Sequence, residues 1–394
     1  MKYNFDEIID RNGTSAIKLE GMKEMWGRTD LIPLWIADMD FATAPFVTEA
    51  IRKRCENRIL GYTSKPESYY QAIINWIKMR YELEVKKEMI NYVPGIVPGI
   101  GMALNAFTQK GDKVMIQPPV YGPFSWLNIR NDRILVTNPL KWKDGTYRMD
   151  MENFRKQAKG CKVFILCNPH NPGGVVWKEE ELQEIAEICH QEGILVISDE
   201  IHADLTLPPH KHLPFAKVNE KAKMNSVTFM SPSKAFNMPG LTASHALIFN
   251  PQLRHKFRKY IETCEFDMGH VFAFPAVEAA YSNGTEWLDQ CLAYVQKNIN
   301  YVDDFLKQNT PKIKAIRPQA SFLLWLDCRE MHLSQEALNE FFVDKAHLAL
   351  NDGVSFGIEG TGFMRMNIAS PRSILEKAMT QLAEAYNKYI YNKM

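Results

Sequence analysis

The stretch "SPSKAFNMPGL" at residues 231–241 sets Lys234 between two serines and an apolar run that closes with Pro239 and Gly240. An amine in such a loop is either an ordinary surface lysine or a nucleophile able to condense with a carbonyl. The run "SVTFM" at 226–230 is β-rich and apolar, so Lys234 directly follows a buried strand. Loops at strand ends are where α/β enzymes hold their chemistry.

Four segments upstream carry groups that could share a site with Lys234. "VPGIVPGIGMALNAF" offers Gly95, Ile96 and Val97 before Pro98, which suits a first helical position. Free backbone N–H groups there would suit a phosphate. "QPPVYGPF" presents Tyr121, a ring able to stack on a flat ligand. In "CNPHNPGGVVW" two Asn-Pro steps and a Gly pair force an irregular turn that holds Asn171 for a directed hydrogen bond. "ISDEIHADL" places Asp199 directly after an apolar strand, where an ionised carboxylate is costly without a cationic partner. Taken singly, the first two segments also read as ordinary packing: a Gly-rich turn before a helix and a core tyrosine.

The elements that must position these groups are legible from about Asp112. "DKVMIQ", "DRILVTN", "CKVFILC", "GILVISD", "NSVTFM" and "HALIFN" read as short buried strands. Helical stretches lie among them. In "KEEELQEIAEICHQEG", Leu182, Ile185, Ile188 and Cys189 recur at helical spacing and Gly193 ends the element. Strands alternating with helices predict an α/β fold whose largely parallel sheet is covered on both faces. After about Phe274 a long helical region, then "SFLLWLDC", another helix, a short "FMRMNIA" strand and an amphipathic helix from about Ser373 suggest a smaller α+β domain. The first 45 residues hold too few periodic elements to fold alone and are expected to pack against it. No Pro-Ser linker or internal repeat divides the chain.

Composition narrows the partners. The 394 residues, 46% hydrophobic and 24% charged, can build a large core. With 47 Lys plus Arg against 46 Asp plus Glu, no global field would recruit nucleic acid or an anionic membrane. Small neutral or zwitterionic partners fit better. "MKYNFDEIIDRNG" lacks the regions of a signal peptide and no segment has the apolar length of a membrane span, so a cytoplasmic location is expected. Seven cysteines without CxxC spacing read as core thiols, not a disulfide frame or zinc site. The group His202, His210 and His212 in "HADLTLPPHKHLPF" is the strongest metal candidate, but no cysteine lies near it. A solvated pair or a hydrogen-bonding loop anchor is preferred, and no metal is expected.

A phosphate loop, a stacking ring, a fixed amide, a strand-end carboxylate and a strand-end lysine, in that chain order, are what pyridoxal 5'-phosphate (PLP) needs. The sequence resembles the fold type I PLP enzymes of the aspartate aminotransferase superfamily over nearly its full length. Within them, "IPLWIADMDF" at 32–41 with "GYT", "SDEIHADL" and "HKHLPFA" resembles the MalY/PatB branch of cystathionine β-lyases. That resemblance implies a large domain, 46–285, with a mostly parallel seven-stranded sheet, and a small domain made of 1–45 and 286–394. It implies that Lys234 forms the Schiff base, Asp199 pairs with the pyridinium nitrogen, and Asn171 bonds the phenolic oxygen. His202 stands where many relatives have a tyrosine on that same oxygen, and Ile201 lies under the ring face opposite Tyr121. Gly95, Ile96, Val97 and Ser231 would bind phosphate, with Tyr62 reaching it from the other subunit of a homodimer. Arg365, in "GFMRMNIA", would pair with the substrate carboxylate, helped by backbone near Ala37 and by Asn171.

One departure is Thr242, eight positions after Lys234, where many superfamily members carry a phosphate-neutralising cation. Backbone, hydroxyls and the partner subunit must then carry more of the phosphate binding. The resemblance implies carbon–sulfur β-lyase activity on cystathionine, cysteine or related thioethers. The same residues would equally serve an aminotransferase. A third reading, a regulatory or binding protein with little turnover, would show itself in an impaired Lys234 or Arg365, and both are present.

Overall fold

The computed structural model describes residues 3–391. Its centre is a seven-stranded sheet in the order Ile90–Val93, Ser244–Leu247, Ser226–Met230, Leu195–Asp199, Cys161–Cys167, Lys113–Ile116, Ile134–Thr137. The last five in that order run parallel to one another, and Ser244–Leu247 is antiparallel to both its neighbours. All six runs read from the sequence are strands of this sheet. The seventh, Ile90–Val93, was not among them. Asn91 interrupts its apolar run, and Gly95 and Pro98 beside it read as loop.

The inner strands are apolar and β-branched because helices cover both faces, leaving no solvent side for alternation. Val163, Phe164, Ile165 and Leu166 are essentially inaccessible, as are Val196, Ile197, Val227 and Phe229. Glu179–Glu192 forms the expected helix on one face, and Gly193 closes it in a left-handed conformation, φ 68°. The helix after the Gly-rich loop runs Ile96–Phe107. It therefore starts at Ile96, two residues before the position proposed for Pro98. Gly95 is its cap, at φ 118°, a conformation that glycine adopts without steric cost.

The C-terminal part builds a four-stranded sheet in the order Lys314–Ile316, Leu323–Asp327, Phe363–Asn367, Asn351–Asp352, all neighbours antiparallel. Thr285–Asn309 and Arg372–Tyr391 are its long helices. N-terminal residues contact it: Ile32–Pro33 pairs in parallel with Leu348–Ala349, and Asn367 N–H donates to Leu34 O at 2.8 Å. They also form the helix Ile17–Trp26, which the sequence reading did not anticipate because its apolar periodicity is weak. One apolar cluster runs from Phe5 and Phe41 through Phe236 and Trp287 to Leu382, tying both sheets together.

The seven cysteines are all free. Five are buried as read, whereas Cys55 is exposed and Cys264 half-buried: both lie near the exposed ends of helices, outside the apolar runs.

Candidate active site

Because the Ile90–Val93 strand points the same way as the five parallel strands, the segments that follow these strands meet at one edge of the sheet. A cavity of about 290 Å³ opens there, and its walls include Gly95, Ile96, Val97, Tyr121, Asn171, Asp199, Ile201, His202 and Lys234. Residues spread over 140 positions of sequence are brought together by strand order alone. Ala37, from the N-terminal part, and Ser233, Thr242 and Ser244 complete the polar lining.

Asp199 ends its strand beside Cys167 of the neighbouring strand. Its carboxylate accepts from Ile201 N–H at 3.1 Å and makes no ion pair among the described residues. Burial raises its pKa to about 7, more than the Ile201 bond and the Lys234 charge lower it. It lacks a close cation and is poised to accept one. Lys234 is drawn down to about 8, first by burial, against the opposing pull of Asp38. Its Nζ donates to Ala37 O at 2.5 Å. His202 is buried and neutral, its pKa lowered by burial to about 3, and its Nδ1 has no hydrogen-bond partner.

The loop of Asn171 is locked from several sides. Tyr121 N–H donates to Asn171 O at 3.1 Å, and His170 bonds Pro119 O at 2.9 Å through Nε2. The Asn171 side chain faces Arg365, whose Nη1 donates to Oδ1 at 3.1 Å. Arg365 is 4% exposed, so a surface role is excluded. Its Nη2 donates to Asn351 Oδ1 at 2.7 Å and to Trp35 O at 3.2 Å, and its guanidinium lies 4.8 Å from the centre of the Phe356 ring. It pairs with no carboxylate among the described residues, and its Nε is left without a partner. Burial pulls its pKa down to about 10. A buried guanidinium held only by neutral groups suits an incoming carboxylate.

Two expected phosphate groups are placed elsewhere. Ser231 is buried behind the wall, its hydroxyl donating to Ala243 O at 2.7 Å, while Ser233 lines the cavity. Tyr62 stands 96% exposed on a coil with Ile59 and Leu60, away from the cavity of its own chain. Of the three histidines, His202 faces the cavity, His210 is exposed, and His212 bonds Glu200 Oε2 at 2.7 Å in a buried pair. His212 is thus the loop anchor that was expected. Sequence reasoning missed Asn351 and Phe356, the partners of Arg365, since neither carries a motif.

The cavity fits PLP on its own terms. It offers an amine of lowered proton affinity, a carboxylate lacking a cation, an unpartnered imidazole nitrogen, and a helix N-terminus with hydroxyls nearby. At Gly95 a Cβ would come within 3.3 Å of Pro98, narrowing that N-terminus.

Comparison with known proteins agrees with this geometry. The family model "Aminotransferase class I and II" matches residues 29–382, and the chain belongs to that family. It is 40% identical to cystathionine β-lyase PatB of Bacillus subtilis, covering 97% of this chain and 99% of that one. Among solved structures it superimposes with a TM-score of 0.96 on a PLP-bound protein of Clostridium difficile 630 described as an aminotransferase, at 40% identity over 98% of this chain and 100% of that one. The PLP-bound C-S lyase of Staphylococcus hominis gives a TM-score of 0.91 at 36% identity, with 98% of each chain covered.

Proposed function

We propose that this chain is a PLP-dependent C–S β-lyase that cleaves cystathionine, cysteine or a related thioether to thiol, pyruvate and ammonia. The observation that carries the reading is the meeting of Lys234 and Asp199 in one cavity whose wall residue Asn171 is bonded by Arg365, a buried guanidinium without a carboxylate partner among the described residues. PLP, when bound, supplies an aldehyde for amines and an electron-accepting ring. Lys234 would hold it, Asp199 would face the ring nitrogen, and Tyr121 and Ile201 would bracket the ring. Asn171 and His202 would bond its phenolic oxygen. Gly95, Ile96 and Val97, with Ser233, would serve the phosphate, and Ser231 would support it from behind the wall through its hydrogen bond with the Ser233 hydroxyl at 2.9 Å.

Arg365 would take the substrate carboxylate and fix the Cα–H bond relative to Lys234. With its proton affinity lowered to about 8, Lys234 spends much of its time as a free amine at mildly basic pH. It can then accept the Cα proton, which a lysine near pKa 10.4 could not do. Loss of the thiolate from Cβ follows in a lyase.

We also infer a homodimer in which Tyr62 serves the partner's site, a two-domain division at about residues 45 and 285, and a cytoplasmic location, supported by seven free thiols. The names of the relatives favour the lyase, while the Clostridium difficile neighbour favours an aminotransferase as second reading. Incubation with cystathionine and no keto acid separates the two. A lyase releases thiol and pyruvate over many turnovers, and product that stops at one equivalent per site would overturn the lyase.

A further inference from the structure

Residues 34–44 form neither helix nor strand, yet the site depends on their backbone. Such a segment must find its hydrogen bonds elsewhere. Trp35 O accepts from Arg365 Nη2 at 3.2 Å, and Ala37 O accepts from Lys234 Nζ at 2.5 Å. Both charged side chains of the proposed reaction therefore rest on one strap, two residues apart.

Two asparagines hold that strap. Asn367 lies two residues after Arg365 in the same strand and is 1% exposed. Its Nδ2 donates to Ile36 O at 2.6 Å and Asp38 O at 2.7 Å, so it grips the carbonyls on either side of Ala37. Its Oδ1 accepts from Ala369 N–H at 2.9 Å, which fixes the amide's orientation. Asn237 lies three residues after Lys234. Its Nδ2 donates to Met39 O at 3.0 Å and Phe41 O at 2.7 Å, and its Oδ1 accepts from Met39 N–H at 2.9 Å. Its φ of 52° is left-handed, where asparagine is among the few tolerated side chains. Each charged residue is thus followed on its own element by an amide that binds the same strap.

We propose that Asn237 and Asn367 are positioning residues: paired clamps that set Trp35 O against Arg365 and Ala37 O against Lys234. Carboxylate recognition and the placement of the amine then share one piece of backbone. The proposal rests on Arg365 being the carboxylate site.

The test uses PLP-loaded protein and 3-(methylthio)propionate, a thioether carboxylate that has no α-amine and cannot react. Its Kd is measured by calorimetry for wild type, Asn237→Gly and Asn367→Ser, together with the pH at which the cofactor's visible band changes. Asn237→Gly keeps the left-handed backbone and removes only the clamp. Each clamp variant should bind the carboxylate about tenfold more weakly, the effect of one or two lost hydrogen bonds, and Asn237→Gly should shift the pH midpoint of the band. The control Asn225→Ser loses a 2.7 Å bond to Ile194 O far from the strap and should stay within about twofold of wild type. If Asn367→Ser does not fold, Asn237→Gly decides alone. Wild-type affinity and band midpoint in Asn237→Gly, or equal weakening in Asn225→Ser, would overturn the clamps. No turnover is needed, so failure to release thiol from cystathionine overturns the lyase reading alone.

Discussion

At the scale of single residues, Arg365 is the sharpest case. Its guanidinium is buried, fixed by Asn171, Asn351 and Trp35 O, and short of one partner. Arg365→Lys keeps the charge but cannot offer two parallel N–H groups. We expect KM to rise about a hundredfold or more with kcat changed far less, as steady-state kinetics would show. The pair Asp199 and Lys234 gives a second prediction. Asp199 is raised to about 7, so the folded protein binds more protons than the unfolded chain between roughly pH 4 and 7, and stability falls as pH rises through that window. Lys234 is lowered to about 8, so the unfolded chain binds more protons between about 8 and 10.5, and stability rises again there. For these two groups the cofactor-free protein has its trough at about pH 7–8, each contributing on the order of 3 kcal/mol. If Asp199 takes the cofactor's cationic ring nitrogen and Lys234 its aldehyde, the gain in Tm on loading with PLP should be largest in that range. A gain independent of pH from 5 to 10 would count against the assignment.

At the scale of elements, the turn after the Leu195–Asp199 strand deserves its own test, because Asp199 and His202 both hang from it. Glu200 ties it down: Oε1 accepts from Ser198 Oγ and from Phe215 N–H, both at 2.8 Å, and Oε2 binds His212. These partners are buried and have no water to replace a lost acceptor. Glu200→Ala should destabilise the protein by about 3 kcal/mol or more, read from urea unfolding. Cofactor affinity should fall with it, since the turn that carries Asp199 is released. The strands of this layer were legible because burial on both faces makes them continuous apolar runs. Ile90–Val93 was not, since the polar Asn91 breaks its apolar run. The helix start at Ile96 was misjudged for a related reason: Pro98 is also accepted within the first turn, and Gly95 was the better marker.

At the scale of the whole molecule, the exposed coil bearing Ile59, Leu60 and Tyr62 is apolar surface that a second copy of the chain would cover. If Tyr62 serves the partner's phosphate, mixing Tyr62→Phe with Lys234→Ala creates hybrid dimers with one fully native site and one doubly mutant site. Random exchange makes about half the dimers hybrid, so up to about a quarter of wild-type sites should reappear. Mass measurement of tagged chains checks the exchange. Hybrids no more active than either parent would place Tyr62 outside the shared site.

Local sequence supplied the candidate groups, Lys234 behind "SVTFM", Asp199 closing "ISD" and Asn171 between two prolines, at strand ends and turns a few residues long, and their joint order with the family resemblance pointed to PLP. Short-range rules govern such features, so they can be read without a fold. What only the tertiary structure decided is what surrounds them. Asn351 meets Arg365 through antiparallel pairing and Phe356 from the short helix that follows, and Asn237 and Asn367 grip a strap some 200 and 330 residues away in the chain. Ser233 lines the cavity, and Ser231 does not. These contacts arise from the closing of two sheets on a common core, and no local pattern encodes which distant backbone a side chain will meet.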